Sequence, residues 1–255
     1  MKIEWVIDKQ DVAAVAAVRG QTERNNFVQY RIRRNVEERT RAFDRARFWS
    51  TMIGCLLTTQ QRSGPDRPVP RFLNRSPFPL SLGRCERGDA QDLIARVLAD
   101  GTGVRRGPTI AEQAARNLDW FRKDGWKDVE DWYRALAGLR ARPAEAEDAV
   151  EERRAARFVA ESLAGFGPKQ SRNLWQWLGL TRFEIPLDSR ITGWLNANGF
   201  PVELSASGLS DPNYYEFVLD GVQALCRRAG LLPCVFDACV FSSYDPEWRL
   251  EDLED

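Results

Sequence analysis

The segment from Leu163 to Lys169, with the sequence LAGFGPK, constrains the fold of this chain more than any other. It predicts the end of one helix, a turn and the start of a second helix. Gly165 and Gly167 suit a turn that needs positive φ angles or a close approach of the backbone to a ligand. Pro168 is favoured as a first helical residue, because the amide hydrogen that it lacks would have no helical partner. The backbone amides that follow Gly167 should therefore point outward at a helix N-terminus, where an anion such as phosphate is stabilised.

Periodic apolar residues predict helices along most of the rest of the chain. The predicted helices are 8–19, 47–61, 89–99, 109–123, 128–139, 150–163, 168–178, 189–198, 212–229 and 233–243. The stretch 64–90 is dense in proline and glycine, which predicts an ordered but irregular connection. A short strand-like run, Ile185-Pro186-Leu187, precedes Asp188 at the start of a helix. The chain as a whole should be α-helical.

The composition narrows the chemistry that the chain can perform. There is no histidine, which excludes serine–histidine triads, HExxH zinc sites and histidine-dependent deaminase sites. Acid–base chemistry must then use Asp, Glu, Lys, Tyr or Cys. The formal net charge is zero, so a nucleic acid would have to be bound by a local basic face. The arginine-rich stretch 19–47 is either such a face or a solvated helix surface with ion pairs.

Cysteine usage and hydropathy bear on localisation. The five cysteines are odd in number and scattered, which is typical of proteins in a reducing cytoplasm. The first residues, MKIEWVIDKQDV, do not resemble a signal peptide, and no apolar run approaches the ~20 residues of a membrane span. We therefore predict a cytoplasmic, nucleoid-associated protein if the partner is DNA.

Lys169 and Asp188 are the candidate catalytic residues. On a helical wheel for 168–178, Lys169 lies opposite the packed side, so it should face solvent or a cleft. Its neighbours on that side are Arg172, Asn173 and Gln176. An amine beside a carboxylate in a cleft can act as a nucleophile once its pKa is lowered by desolvation or by nearby cations. The alternative is a solvated lysine that contacts only a phosphate.

The run LAGFGPK followed by IPLDSRI resembles the helix-hairpin-helix DNA glycosylases, whose signature is the hairpin, a glycine- and proline-rich loop and an aspartate. In the bifunctional branch, which includes endonuclease III-like enzymes and 8-oxoguanine glycosylases, a lysine just after the second hairpin glycine attacks the sugar. Lys169 and Asp188 match those two positions. The helix ending in LLTTQQ resembles the segment whose glutamine-containing end contacts the gap left by the flipped base. The resemblance covers roughly residues 45–245.

The resemblance implies an all-α fold with two helical lobes flanking a DNA-binding cleft and a helix-hairpin-helix motif at about 150–178. One lobe would comprise residues 40–180, and a discontinuous second lobe 1–39 plus 181–255. The partner would be double-stranded DNA containing a damaged or modified base, bound by a monomer. The family can use a monovalent cation between hairpin and phosphate. The implied DNA-binding residues are Gly165, Gly167, Pro168, Gln170, Gln60, Gln61 and Arg190.

Some features depart from the family pattern. The family usually has a histidine two residues after the aspartate, and this chain has Arg190. Cys226, Cys234 and Cys239 lack the number and spacing of a four-cysteine iron–sulfur loop, so no cluster is expected. The chain also lacks the N-terminal β domain of some 8-oxoguanine enzymes. These departures favour a compact variant similar to the small archaeal and bacterial 8-oxoguanine glycosylases.

We therefore predict a base-excision DNA glycosylase with AP lyase activity, which removes an oxidised purine such as 8-oxoguanine through a lysine Schiff base. Lys169 would be the nucleophile, and Asp188 would assist it. Candidate base-pocket residues are Phe236, Asp237, Phe241 and Tyr244, each of which could equally have a core or capping role. The alternatives are a monofunctional glycosylase for another modified base, a non-catalytic helix-hairpin-helix DNA-binding protein, or a helical protein-interaction domain.

Overall fold

A computed structural model describes residues 4–59, 67–100, 102–249 and 253 of the chain. All regular structure within these ranges is helical, which confirms the predicted all-α class. The helices are α1 (Lys9–Thr22), α2 (Asn26–Ile32), α3 (Arg45–Leu57), α4 (Pro68–Leu73), α5 (Leu82–Cys85), α6 (Ala90–Ala99), α7 (Gly107–Trp120), α8 (Trp126–Arg140), α9 (Asp148–Ser162), α10 (Pro168–Trp177), α11 (Ser189–Ala197), α12 (Pro212–Arg228) and α13 (Pro233–Tyr244).

The sequence pattern predicted most of these helices, and the differences have local causes. α2 lies in the arginine-rich stretch, where Asn25 caps it by accepting a hydrogen bond from the amide of Phe27. α4 and α5 are short helices within the proline-rich connection, and α4 begins with Pro68 at its first position. The strand-like run Ile185–Leu187 is extended backbone outside any helix, and no strand is present in the described ranges.

Buried apolar side chains form two clusters. The first cluster is built from α3 to α10, and Trp49 and Trp175 are fully buried in it. The second is built from α1, α2, α11, α12 and α13, with Tyr215 and Phe236 fully buried. α1 and α2 both pack against α13. We propose that the two clusters are the cores of a lobe of residues 40–180 and a lobe of 1–39 plus 181–255.

The segment between α10 and α11 passes from the first cluster to the second and is held by a buried carboxylate. Glu152 on α9 accepts hydrogen bonds from the backbone amides of Arg182 at 2.8 Å, Phe183 at 2.7 Å and Glu184 at 2.8 Å. A buried irregular segment needs such partners, since its amides have no helical acceptors. Burial of Glu152 raises its pKa to about 7, although these three amides lower it.

The position of Arg172 differs from the one that the helical wheel predicts. Arg172 was placed with Lys169 on the side facing solvent or a cleft, but its side chain is buried and its Nε donates to Glu184 Oε2 at 2.7 Å. The same guanidinium lies 4.6 Å from the centroid of the Tyr215 ring. Arg172 therefore joins α10 to the second cluster, because α10 is enclosed on more sides than its apolar pattern indicates.

None of the helices that the structure describes combines the length and apolar character needed to cross a membrane.

Candidate active site

A tight hairpin joins α9 to α10. Gly165 in this hairpin has a φ of +85°, which favours glycine. A Cβ atom at this position would lie 2.5 Å from Gln113 Oε1 and 2.7 Å from Leu56 Cδ2. Gly165 is therefore required both by its backbone conformation and by the packing of α3 and α7 against the hairpin.

A buried asparagine on α7 holds the hairpin in place. The backbone amide of Ala164 donates to Asn117 Oδ1 at 2.7 Å, and Asn117 Nδ2 donates to the carbonyl oxygen of Ala164 at 3.1 Å. Both polar groups of Ala164 are thus satisfied by one side chain. Sequence reasoning missed Asn117, because nothing in the α7 pattern marks one asparagine as the partner of a turn.

Gly167 differs from Gly165, because neither its backbone nor its packing requires glycine. It has φ −96° and ψ −170°, an extended conformation that any residue adopts. A Cβ atom there would have no atom within 4 Å. Gly167 is the N-cap of α10, and its cap position carries no side-chain hydrogen bond. The first amides of α10 therefore face an exposed surface that has room for an anion.

The structure brings Lys169 and Asp188 into the lining of one cleft, with a volume of about 1460 Å³. Lys169 and Asn173 are half-buried there, and Gln176 is buried, so the cleft-facing alternative of the helical wheel applies to these three. α10 supplies Lys169, and the start of α11 supplies Asp188. A cationic amine and a carboxylate are thus presented to one solvent-accessible space between the two clusters.

The start of α10 is attached to the end of α3 through Gln170. The Gln170 side chain is buried, and its Nε2 donates to the carbonyl oxygen of Cys55 at 2.8 Å and to Thr59 Oγ1 at 2.8 Å. These contacts correct the expectation that the Gln170 side chain contacts DNA, since the amide is already used inside the protein. Gln60 and Gln61, predicted to enter the duplex, lie outside the described residues.

Asp188 is held in a defined orientation. Its Oδ1 accepts hydrogen bonds from the amides of Arg190 at 2.8 Å and Ile191 at 3.1 Å, which caps α11. Its Oδ2 accepts from Arg190 Nη1 at 2.8 Å. Just before Asp188, the Tyr215 hydroxyl donates to the carbonyl oxygen of Ile185 at 3.0 Å and accepts from the amide of Leu187 at 2.5 Å. Tyr215 therefore fixes the extended segment that delivers Asp188.

The four candidate base-pocket residues fall into two groups. Asp237 and Phe241 line the cleft, and their role in a base pocket stays a prediction. Phe236 does not line it, because its ring is fully buried against Trp194 with the centroids 5.0 Å apart. Tyr244 does not line it either; it ends α13 with 52% of its surface exposed. Helical spacing turns Phe236 roughly 100° away from Asp237. Tyr244 shares the face of Asp237 and Phe241 but lies at the last residue of α13, beyond the part that borders the cleft.

Asp237 is a buried carboxyl in the cleft wall. Only 6% of its surface is exposed, and its Oδ2 lies 3.3 Å from Arg31 Nη1. Burial raises the pKa of Asp237 to about 6, with Arg31 opposing the rise and Asp188 adding to it. Asp237 therefore changes its ionisation state in a range that is accessible to solution experiments.

Two buried amides in the cleft have polar atoms without partners. Gln176 is 1% exposed, and its Nε2 makes no hydrogen bond of normal geometry with the described residues, although its amide is close enough to lower the pKa of Asp237. Asn35 Nδ2 donates to the carbonyl oxygens of Gln176 and Thr181, each at 3.0 Å, while Asn35 Oδ1 is likewise without a partner there.

The cysteines and acidic residues bear on the predicted absence of an iron–sulfur cluster. Cys226, Cys234 and Cys239 are buried thiols, and burial raises the pKa of each. In the part of the chain that the structure describes, no group of three or more Cys, Asp or Glu side chains is placed to hold a metal ion. The absence of a cluster stays a prediction.

The all-helical fold is similar to that of a known DNA glycosylase, so the predicted all-α fold is confirmed. The 8-oxoguanine DNA glycosylase of Thermotoga maritima has a similar crystal structure, with a TM-score of 0.60 over 92% of this chain and 96% of that chain. The two sequences are 12% identical, so the likeness is one of fold. No family model and no curated protein matches the chain.

Proposed function

We propose that this protein is a base-excision DNA glycosylase that acts on duplex DNA containing a damaged or modified base. The observation that carries the proposal is the presence of Lys169 and Asp188 in one cleft, directly behind the exposed N-terminus of α10. The similarity of fold to the Thermotoga maritima enzyme supports it. A purely DNA-binding protein would need the hairpin but neither the amine nor the carboxylate.

The hairpin would bind one phosphate of the DNA backbone. The amides at the start of α10 and the positive end of its dipole favour an anion. Gly167 leaves the space through which a phosphate can approach, since no atom lies within 4 Å of its missing Cβ. A monovalent cation held by hairpin carbonyl oxygens would add to this contact. With the formal net charge of the chain at zero, binding then depends on such local contacts.

Lys169 would act as the nucleophile after the target nucleotide is flipped into the cleft. Its neutral amine forms a bond to C1′ while the glycosidic bond breaks, and the base leaves with the electron pair of that bond and a proton. Ring opening of the sugar then gives a Schiff base between Lys169 and C1′. Loss of a proton from C2′ eliminates the 3′ phosphate and nicks the strand.

Asp188 would stabilise the positive charge that develops on the sugar as the base departs. Its carboxylate is fixed by the amides of α11 and by Arg190, so it needs little reorganisation during the reaction. It would also accept a proton from the Lys169 ammonium, which gives the neutral amine that attacks.

An oxidised purine such as 8-oxoguanine suits the polar groups in the cleft. Guanine presents two acceptors, N7 and O6, on its major-groove edge. Oxidation at C8 converts N7 into a donor, so that the edge offers one acceptor beside one donor. Gln176 Nε2, which makes no hydrogen bond of normal geometry within the described residues, would donate to O6, and the neighbouring carboxylate of Asp237 would accept from N7–H. Normal guanine would place an acceptor against that carboxylate.

The test is a panel of duplexes, each with one lesion, incubated with the protein in the presence of borohydride and scored for base release, nicking and covalent complexes. We expect trapping on the 8-oxoguanine duplex. Lys169→Gln should abolish trapping and nicking while leaving DNA affinity nearly unchanged. Asp188→Asn should slow base release by about 10²- to 10⁴-fold, the usual contribution of a positioned acid–base group. Asparagine still caps α11, so the fold is preserved.

The exposed Lys127 on α8 provides the matched control, and Lys127→Gln should leave all three readouts unchanged. Release of the base by the Lys169→Gln protein at the parental rate, without nicking, would identify a monofunctional glycosylase that uses water. Duplex binding without release of any base would identify a DNA-binding protein without catalytic activity.

A further inference from the structure

The guanidinium of Arg190 lies at the centre of a group of contacts in the cleft wall. Its Nη1 donates to Asp188 Oδ2 at 2.8 Å, and its Nε donates to Asp245 Oδ2 at 3.0 Å, with Nη2 also paired to that oxygen. Its central carbon lies 4.3 Å from the centroid of the Phe241 ring. The side chain is only 17% exposed. Three of the five N–H donors of this guanidinium are therefore engaged with two carboxylates of the protein.

Arg190 belongs to a stack of four side chains in the cleft wall, which we name the wall stack: Arg190, Phe241, Phe27 and Arg31. The Phe241 and Phe27 rings are stacked with centroids 4.4 Å apart and an interplanar angle of 22°. Arg31 lies 5.3 Å from the centroid of Phe27. A cation over each outer ring face is favoured by the ring quadrupole. The wall stack therefore joins α2, α11 and α13 through well-packed planar groups.

The consequence for Asp188 is that both carboxylate oxygens are restrained. Oδ1 is held by two amides of its own helix, whereas Oδ2 is held by a side chain that is itself anchored elsewhere. The anchor is Asp245, which follows α13, together with the face of Phe241. A capping aspartate needs only one oxygen for its cap. The Arg190 contact thus adds an orientation that α11 does not require.

We propose that Arg190 is a positioning residue that fixes the Asp188 carboxylate for base excision, with Asp245 and Phe241 holding the guanidinium in place. The proposal rests on the proposed function, since it concerns the role of Asp188 in that reaction. It assigns Arg190 a role inside the protein in place of the DNA contact that its position in the sequence suggested. The feature that carries this role is the Arg190 guanidinium, which bridges the carboxylates of Asp188 and Asp245.

The experiment measures single-turnover release of 8-oxoguanine paired with cytosine, duplex affinity and thermal unfolding on the full chain. Arg190→Gln should slow release roughly 10- to 100-fold, as expected for a misplaced catalytic group, with duplex affinity within twofold. Asp245→Asn should slow it in the same direction but less. In the Asp188→Asn background, Arg190→Gln should add less than a twofold effect, because the group that it positions is gone.

Arg157→Gln is the matched control, because it removes an arginine from an ion pair with Glu216 (Nε to Oε1, 2.8 Å) outside the cleft. If Arg190→Gln does not fold, Arg190→Lys replaces it, and slowed release at parental duplex affinity is again expected, because lysine cannot bridge two carboxylates as arginine does.

Two results overturn the proposal while leaving the proposed function intact. One is weakened duplex affinity with unchanged single-turnover release, which would identify a phosphate contact. The other is equal slowing by Arg190→Gln with and without the Asp188 carboxylate, which would identify a purely structural role. If Asp188→Asn releases the base at the parental rate, or the parent releases none, the proposed function fails, and the role of Arg190 fails with it.

Discussion

The side-chain oxygen Oε1 of Gln113 lies 2.5 Å from the place that a Cβ atom would occupy on Gly165. Two residues further along, the corresponding place on Gly167 has no atom within 4 Å. Gly165 also has a positive φ of +85°, whereas Gly167 has an ordinary φ of −96°. The fold thus requires glycine at the first of these two positions and does not require it at the second.

This difference predicts that alanine lowers stability at position 165 but not at position 167. Gly165→Ala should destabilise the fold by about 1–2 kcal/mol from the left-handed backbone alone, with more from contact with Gln113. Gly167→Ala should leave thermal unfolding unchanged, and Gly167→Val should weaken duplex binding because its side chain projects toward the phosphate. Unfolding curves and duplex titrations at several salt concentrations measure both effects. Parental duplex affinity of Gly167→Val at every salt concentration would show that the hairpin does not bind DNA.

Gln176 and Gln170 offer a second matched pair on one helix. Gln176→Leu should change the free energy of unfolding by less than about 1 kcal/mol, because its Nε2 makes no hydrogen bond of normal geometry and has only the contact with Asp237 that lowers the pKa of that carboxyl. It should nevertheless slow release of 8-oxoguanine by about 5- to 150-fold, because a hydrogen bond to the flipped base contributes roughly 1–3 kcal/mol. Gln170→Leu should instead destabilise the protein by about 1–3 kcal/mol. Equal release rates for Gln176→Leu and the parent would remove Gln176 from base recognition.

Tyr215 should couple stability to catalysis. Tyr215→Phe leaves the buried carbonyl of Ile185 and the amide of Leu187 without partners, which costs about 1–3 kcal/mol for each group. The segment before Asp188 becomes less restrained, so base release should slow as well. Tyr214→Phe, at the half-buried neighbour, is the control and should change neither quantity. Thermal unfolding measures the stability of each variant, and single-turnover kinetics measure its rate of base release. A Tyr215→Phe protein with parental stability and a parental release rate would contradict the prediction.

The stability contributed by Glu152 should depend on pH. Burial raises its pKa from 4.5 to about 7, so between these values the folded state binds more protons than the unfolded state. This contribution is fully present below pH 4.5 and is lost as pH rises to about 7. The stability advantage of the parent over Glu152→Gln should therefore shrink by roughly 3 kcal/mol between pH 4.5 and pH 8. An advantage that grows with pH would mean that the three amides keep the carboxylate ionised.

The sequence predicted the helices, the hairpin and the cleft position of Lys169, because each depends on local patterns. Helical periodicity, a proline at a first helical position and glycine in a turn act within a few residues of one another. Asp188 was recognisable by its place at a helix start, where aspartate caps the amides. The fold followed from these elements taken in order along the chain.

The contacts that support the site could not be predicted in this way. Asn117 holds the hairpin from 47 residues away, and Arg31 meets Asp237 from 206 residues away. Arg172 was misplaced for the same reason, since a helical wheel shows which side chains share a face and not what the face meets. Phe236 and Phe241 differ in role although both are aromatic residues on α13, because only the second borders the cleft.

The wall stack places an early helix against the last one. A ribosome adding 5–20 residues per second needs roughly 10–40 s to make the 206 residues from Arg31 to Asp237. Until then Phe27 on α2 cannot stack on Phe241, and Arg190, beside Asp188, lacks the contacts with Phe241 and Asp245 that hold it. The first cluster can form while synthesis continues, but the cleft wall cannot. A nascent chain would therefore carry the hairpin long before it carries the complete cleft wall, and the proposed base excision would begin only after translation has passed α13.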